Sequence, residues 1–150
     1  MIRYHFLLIL LVGVMVSPAS GKEQDTVDLT AYQWRNRLLI LFAPAEKDLV
    51  YQSFKEQLQR RTQEVQDREL LIFHVLETGE GRLAHLPLKK GQVLFLRKEF
   101  SILPGQRIVI PIGKDGEVKL RRALPVDLSE TFSVIDAMPM RQREMRERAN

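Results

Sequence analysis

The residue types that most often perform chemistry in small α/β proteins are scarce in this chain. It contains no cysteine and three histidines in 150 residues. Thiol–disulfide exchange, cysteine peroxidase chemistry and cysteine nucleophiles are excluded, because each requires a thiolate. His74 lies inside an apolar run, and its spacing to His85 does not match a zinc motif. We therefore predict a hydrogen-bonded histidine at position 74, in the core or at a sheet edge, with a metal ligand or general base as the alternative.

Other candidate catalytic groups also lack the expected surroundings. The serines have no nucleophile-elbow sequence around them, and residues 79–81 have too few glycines to cradle a phosphate. Lys114 and Asp115 carry groups that act as acids and bases, but in Lys114-Asp115-Gly116 a turn is the simpler interpretation. The sequence predicts no catalytic residues, no metal site and no cofactor.

Basic and aromatic residues are the candidates for a binding surface. We predict that this surface is formed by Trp34, Arg35, Arg37, Lys114, Asp115, Arg141 and Arg143. The alternatives are a tryptophan that covers the core and a solvated C-terminal helix with ion pairs such as Arg143–Glu147 and Glu144–Arg148. The expected partner is an anionic molecule or a protein. Nucleic acid is not expected, because the basic excess is small.

The first residues have the pattern of an export signal. Arg3 precedes an apolar run at residues 6–16, and small residues follow at positions 17 and 19–21. A membrane-spanning helix needs about 20 apolar residues, more than this run supplies. We predict a signal peptide at residues 1–21, a loose polar leader at 22–28 and a domain at 29–150, in a periplasmic or secreted protein with no transmembrane segment after cleavage. An uncleaved anchor is the alternative.

The mature chain begins with a strand–helix–strand pattern. Residues 38–42 and 70–76 are continuous apolar runs, which is typical of strands buried on both faces. Between them, Val50, Phe54 and Leu58 recur every four residues, which predicts a helix over 46–66. The two strands are therefore expected to be parallel, with a right-handed crossover.

The second half predicts a helix, a hairpin and a final helix. Residues 78–81 are a predicted loop and residues 87–100 a predicted helix. Asp115-Gly116 between residues 107–112 and 117–122 predicts a β-hairpin. Asp127 and Glu130 form a capping-box pattern before another helix, and residues 140–150 are a charged tail. The order β-α-β-α-β-β-α is the outline of a thioredoxin-like fold.

Three segments resemble domain-of-unknown-function family 4174. They are residues 34–44, residues 112–121 and residues 135–146, and the resemblance covers about residues 29–148. It implies an α/β thioredoxin-like single domain and kinship with repeated domains of animal extracellular-matrix proteins. It implies no established activity and no catalytic residues. Thioredoxins carry Cys-x-x-Cys after the first strand, whereas residues 43–48 here read Ala-Pro-Ala-Glu-Lys-Asp. Pro104 is the candidate for the cis-proline of that fold.

Three functions follow as hypotheses. The first is an exported, non-redox binding or scaffold module. The second is a cysteine-independent enzyme whose site lies at the end of the first strand, at residues 43–48, near Lys114 and Asp115. The third is an envelope-stress or chaperone-like protein, which an exposed apolar patch would favour.

Overall fold

A six-stranded mixed sheet forms the centre of the fold, in the order β4-β3-β2-β1-β5-β6. The computed structural model describes residues 25–150, so the predicted signal peptide and residues 22–24 of the leader lie outside the described residues. The strands are β1 (Arg37–Ala45), β2 (Leu70–Thr78), β3 (Gly81–Leu83), β4 (Leu86–Leu88), β5 (Ile108–Ile112) and β6 (Arg122–Ala123). The helices are α1 (Leu49–Arg60), α2 (Thr62–Asp67), α3 (Lys90–Glu99), α4 (Leu128–Asp136) and α5 (Pro139–Ala149), and a 3-10 turn precedes β1 at Leu29–Tyr32.

The central strand β1 is buried on both faces, as its apolar run predicts. Leu39 and Leu41 pack in the core layer under α1 and α4, while Leu38 and Ile40 pack in the layer under α3 and the 3-10 turn. β1 is parallel to β2 and antiparallel to β5. The predicted parallel pair and its helical crossover are therefore confirmed.

The helix predicted over residues 46–66 is two helices. β1 continues to Ala45, and α1 begins only after Asp48, whose carboxylate accepts a hydrogen bond from the backbone N–H of Tyr51 at 3.0 Å. Arg61 then leaves helical geometry, and its N–H donates to Leu58 O, three residues back. This tighter bond ends α1, and α2 begins at Thr62.

The β3–β4 hairpin was not predicted. Residues 78–81 were expected to form a loop, but Gly81 starts β3, which pairs with β2 through Phe73 and His74. Each strand of the hairpin has three residues, and β4 contains Pro87. Strands this short show no alternation that distinguishes them from a loop. The helix predicted at residues 87–100 is present as α3, but it begins at Lys90, and residues 87 and 88 belong to β4 instead.

The predicted hairpin around Asp115-Gly116 forms only in part. Its first strand is β5 and its turn is closed by a hydrogen bond from Gly116 N–H to Gly113 O at 3.0 Å, but the expected strand over 117–122 is wrong. The chain makes an isolated bridge at Val118 and pairs again only at β6. Pro111 explains the gap. Its carbonyl accepts a hydrogen bond from Lys119 N–H at 2.9 Å, but its nitrogen carries no hydrogen and cannot donate a bond back to the facing strand.

The ends of the described chain are more ordered than the sequence suggests. Val27, placed in the loose leader, packs against the core layer under α3. Asp127 caps α4 as predicted, and the charged tail is the helix α5. The cis peptide among the described residues precedes Pro125, so the assignment of a cis bond to Pro104 is wrong.

Candidate functional site

The direction of β1 divides the candidate residues between two ends of the sheet. Trp34 and Arg35 precede β1, and Lys114 follows β5, whose Ile112 pairs with Leu38 at the start of β1. All seven residues of the predicted binding surface lie at this end. Residues 43–48 lie at the other end, roughly 25 Å away at ~3.3 Å per residue. The prediction that residues 43–48 lie near Lys114 and Asp115 is wrong, because β5 runs antiparallel to β1.

Trp34 is an exposed aromatic residue in an unusual backbone conformation. Its side chain is 66% exposed, so it does not cover the core. Its φ is 65°, and its N–H donates to Lys114 O at 2.7 Å. A bulky residue in this left-handed region costs about 1–3 kcal/mol and persists only when its surroundings fix it. Arg35 beside it is also exposed.

Arg37 is buried and does not face solvent, which corrects its place in the predicted surface. Its side chain is 1% exposed, and its two terminal nitrogens each lie 3.1 Å from an oxygen of Glu144 on α5. Glu144 also accepts a contact from Lys114 Nζ at 2.8 Å. Burial opposes ionisation of Glu144, but Arg37 and Lys114 outweigh it and hold the pKa of this carboxyl below its ordinary value.

Arg141 is likewise buried, at 2% exposure. Its guanidinium contacts Asp136 at 3.2 Å and pairs with Asp67, which also pairs with Arg148. Glu144 and Arg148 thus bind the body of the fold instead of each other. Within the described residues α5 buries only Arg141, so ion pairs dock this helix. We call this set of contacts the α5 ion network.

The exposed part of the predicted surface is smaller than the sequence suggests. Arg143 faces solvent and, in residues 25–150, has no ion-pair partner. Asp115 is half-buried and pairs with Lys119 at 2.5 Å. The Lys114 side chain is 10% exposed and pairs with Glu69 and Glu144, which corrects its place among the free charges of the predicted surface. We define the Trp34 surface as Trp34, Arg35, Arg143, Lys114 and Asp115. Whether these residues bind a partner stays a prediction.

At the opposite end, polar residues form a cluster that sequence reasoning missed. Tyr51 OH lies 3.0 Å from His74 Nδ1 and 3.4 Å from Glu46 Oε2, and Glu46 pairs with Lys55 and, at 3.2 Å, with Arg82. These five residues come from α1, β2, β3 and the segment after β1. No local pattern links them, so only the sheet register brings them together.

The protonation states of this cluster are fixed at neutral pH. Burial, with the charges of Arg82 and Lys55, lowers the pKa of His74 to about 4. Burial and the charge of Glu46 raise the pKa of Tyr51 to about 12. At pH 7 the imidazole is neutral and the phenol keeps its proton, so each is a weak catalyst of proton transfer. This geometry agrees with a satisfied histidine at position 74, which is half-buried on β2.

Asp48 occupies the start of α1, where thioredoxins carry their thiols. Its carboxylate caps the helix and contacts Arg107 Nε at 2.9 Å and Nη2 at 2.6 Å. The hydrogen bonds from Arg107 hold the pKa of Asp48 below its ordinary value. Charge pairing thus replaces redox chemistry at this position.

Comparison with known proteins identifies the family. A domain of unknown function, DUF4174, matches residues 28–144. The chain belongs to this family. It is similar to coiled-coil domain-containing protein 80 of Danio rerio, with 23% identity over 133 residues, and this match covers 78% of the chain but 15% of the relative. The chain therefore spans a small part of that protein's length.

Solved structures with a similar fold are peroxiredoxins. The reduced 2-Cys peroxiredoxin of Plasmodium vivax has a TM-score of 0.59 at 16% identity, covering 78% of this chain and 85% of that one. Thioredoxin peroxidase I of Plasmodium yoelii has a TM-score of 0.58 at 17% identity, covering 78% and 80%. The thioredoxin-like α/β fold implied by the sequence resemblance is confirmed, without Cys-x-x-Cys. Identities this low show the fold alone.

Among the helices of residues 25–150, none has the length and apolar character needed to cross a bilayer.

Replacing Glu144 with glutamine should weaken the fold in a pH-dependent way. At pH 7 we expect Glu144→Gln to lower the free energy of unfolding by about 3 kcal/mol, because it leaves the buried Arg37 guanidinium without its counter-charge. The folded-state pKa of Glu144 is depressed, so the parent loses the same stabilisation as pH falls through that value. Urea unfolding at pH 7 and pH 3.5 measures both effects.

Glu147→Gln is the matched control, because Glu147 lies on the same helix and is exposed. It should change the unfolding free energy by about 0.5 kcal/mol or less. An equal deficit for Glu144→Gln at both pH values would show that the carboxylate charge is not what docks α5.

His74 should make stability fall as pH drops from about 6.5 to 4. Its folded pKa is about 4 and its unfolded pKa about 6.5, so in this window the unfolded state binds a proton that the folded state does not. We expect His74→Gln to flatten the dependence of unfolding free energy on pH there by up to ~1.4 kcal/mol per pH unit.

Chemical unfolding at half-unit pH steps measures this slope. His85→Gln is the control, because the His85 side chain is exposed and its surroundings change little on unfolding. Identical slopes for His74→Gln and the parent would contradict a neutral imidazole at position 74.

Proposed function

We propose that this chain is an exported, thioredoxin-like binding module without redox activity, and that it binds its partner through the Trp34 surface. The observation that carries the proposal is Trp34 itself, a large apolar side chain 66% exposed on a backbone with φ of 65°. Strain of this kind is retained at sites of function. Tryptophan and arginine are also the residues that most often dominate binding energy at protein interfaces.

The charge of the Trp34 surface favours an anionic partner. Arg35 and Arg143 are exposed, and in the part of the chain that the structure describes they have no ion-pair partner. Beneath them, Arg37 and Arg141 are neutralised by Glu144, Asp67 and Asp136 and add no free charge. An acidic surface on a protein, or another anionic surface, complements this arrangement.

The enzyme hypothesis rests on the opposite end of the sheet. His74 and Tyr51 there have shifted pKa values, which is a feature of active sites. However, these two side chains hydrogen-bond within the cluster. Tyr51 OH contacts both His74 and Glu46. The chaperone-like hypothesis draws on exposed apolar residues such as Leu49, Leu94 and Leu103, which lie on three separate elements. Both hypotheses have less support than the Trp34 surface.

Replacing Trp34 with glycine separates binding from stability. Glycine adopts a positive φ without strain, and the lost side chain is mostly exposed. We therefore expect Trp34→Gly to leave the free energy of unfolding unchanged or to raise it by up to about 1 kcal/mol. The same change should reduce partner capture about 30-fold or more, as expected for the loss of an interface tryptophan.

Capture is measured with residues 22–150 carrying a photo-crosslinker at Val118, which is 51% exposed. The domain is exposed to envelope or extracellular extract, and bound species are quantified by mass spectrometry. Leu94→Ala, on α3 and 58% exposed in the parent, is the matched control and should capture as the parent does. Equal saturable capture by Trp34→Gly and the parent would overturn the proposed site.

Export is tested with the full 150-residue chain. Expressed in a bacterial host, it should leave the cytoplasm and have an intact mass that lacks about residues 1–21. A Leu8→Arg variant interrupts the apolar run and should stay in the cytoplasm at full mass. Export of both proteins, or retention of both, would contradict the predicted signal peptide.

A further inference from the structure

A cavity of about 210 Å³ lies beneath the 3-10 turn, between β1, β5 and the end of α3. Its walls are mainly apolar and include Leu29, Tyr32, Leu38, Phe100, Ile112 and Val118. For comparison, an engineered apolar cavity of about 150 Å³ holds a benzene molecule. The cavity is therefore large enough for one aromatic ring with a short alkyl chain.

The aromatic walls of this cavity are fixed by the core. Tyr32 packs edge-on against Phe73 with ring centroids 5.9 Å apart, and Phe100 packs against Phe42 at 5.7 Å. Phe42 and Phe73 are fully buried in the sheet. Walls held in this way form a site before any ligand arrives, which lowers the entropic cost of binding.

The side of the cavity formed by Gln33 and Gly116 is also rigid, and the side-chain amide of Gln33 already has a hydrogen-bond partner. Gln33 Nε2 donates to Asp115 O at 3.2 Å. Gly116, with φ of 82°, packs so closely on Gln33 that a Cβ there would overlap the amide. This rim offers the cavity a fixed wall, so selectivity for a ligand must come from charge at the mouth.

Glu99 supplies that charge. Glu99 is an exposed residue at the end of α3 that lines the cavity, and among the described residues it has no ion-pair partner. Arg121 is the cation on this side, and it donates to Phe100 O at 2.5 Å and Ser101 O at 3.4 Å. Among the described residues that line the cavity, Glu99 is therefore the charged one, and the Arg121 guanidinium beside it is engaged by two backbone carbonyls.

We propose that this cavity is a binding site for an arylalkyl ammonium ion, with its ring among the apolar walls and its ammonium group at Glu99. The site adjoins the Trp34 surface at Asp115, whose carbonyl accepts from Gln33 on the cavity rim, but it does not include Trp34, and it goes beyond the proposed binding of an anionic partner. Its ligand has the opposite charge, so the two activities do not compete for the same groups.

Titration of the ¹⁵N-labelled domain, residues 22–150, with 2-phenylethylammonium tests the proposal. We expect saturable shifts confined to amides around the cavity, such as Thr30, Asn36 and Gly113. Neutral 2-phenylethanol should bind about fivefold more weakly and the anion 3-phenylpropanoate more weakly still, as expected for one exposed ion pair. No shifts at these amides, or tightest binding of the anion, would overturn the proposal.

Two variants separate the ring site from the charge site. Glu99→Gln should remove the preference for the ammonium ion and leave binding of 2-phenylethanol unchanged. Val118→Phe should fill the mouth and weaken all three compounds, while Glu147→Gln on α5 should change none. A Glu99→Gln protein that keeps the full preference for the ammonium ion would overturn the role of Glu99.

The same titration on Trp34→Gly keeps the two proposals distinguishable. That variant should still bind 2-phenylethylammonium, because Trp34 does not line the cavity. Loss of partner capture with retained amine binding would support both sites. If the parent captures its partner but does not bind 2-phenylethylammonium, the cavity proposal is overturned. That result would not affect the proposal for the Trp34 surface.

Discussion

The buried guanidinium of Arg37 is the constraint on which the end of the chain depends. Arg37 is the first residue of the central strand and is 1% exposed, so its charge must be neutralised without water. Glu144 does this with two contacts of 3.1 Å across 107 residues of sequence. The helix that carries Glu144 has little apolar surface to bury, so without these ion pairs it would have no reason to dock. The central strand thus fixes α5.

The strand β1 also separates charged groups that are paired within the fold from residues that are exposed to solvent. At the start of β1, most charged side chains are paired with one another inside the α5 ion network. Trp34 and Arg35 remain exposed above this network. At the other end of β1, the position of the thioredoxin thiols holds Asp48 paired with Arg107, beside the cluster of Glu46, Tyr51 and His74. Ion pairs and hydrogen bonds hold both ends in place, and rigidity of this kind suits the presentation of a surface.

Local signals in the sequence predict the interior well and the charged residues poorly. The apolar run at residues 38–42 and the cap at Asp127 indicate β1 and α4, because burial and capping act over a few residues. Arg37 and Arg141 were assigned to a surface, since a sequence shows a charge but not the Glu144 or Asp67 that neutralises it. The β3–β4 hairpin escaped prediction for a related reason. Its three-residue strands are specified by pairing with β2, not by their own composition.

The likeness to peroxiredoxins shows what the fold alone can and cannot determine. A thioredoxin-like sheet brings the end of its first strand and the start of the following helix to one place, and in this chain that place holds a capped, paired aspartate in a protein without cysteine. The scaffold therefore does not carry its relatives' chemistry with it. Trp34, with Glu69, Ala84 and Ser101, is one of the described non-glycine residues in a conformation favoured by glycine, and among them it carries a large exposed ring. The hydrogen bond from Trp34 N–H to Lys114 O holds this backbone in place, but the exposed ring gains little from burial. A large ring left exposed on a strained backbone is the physical support for recognition at the Trp34 surface.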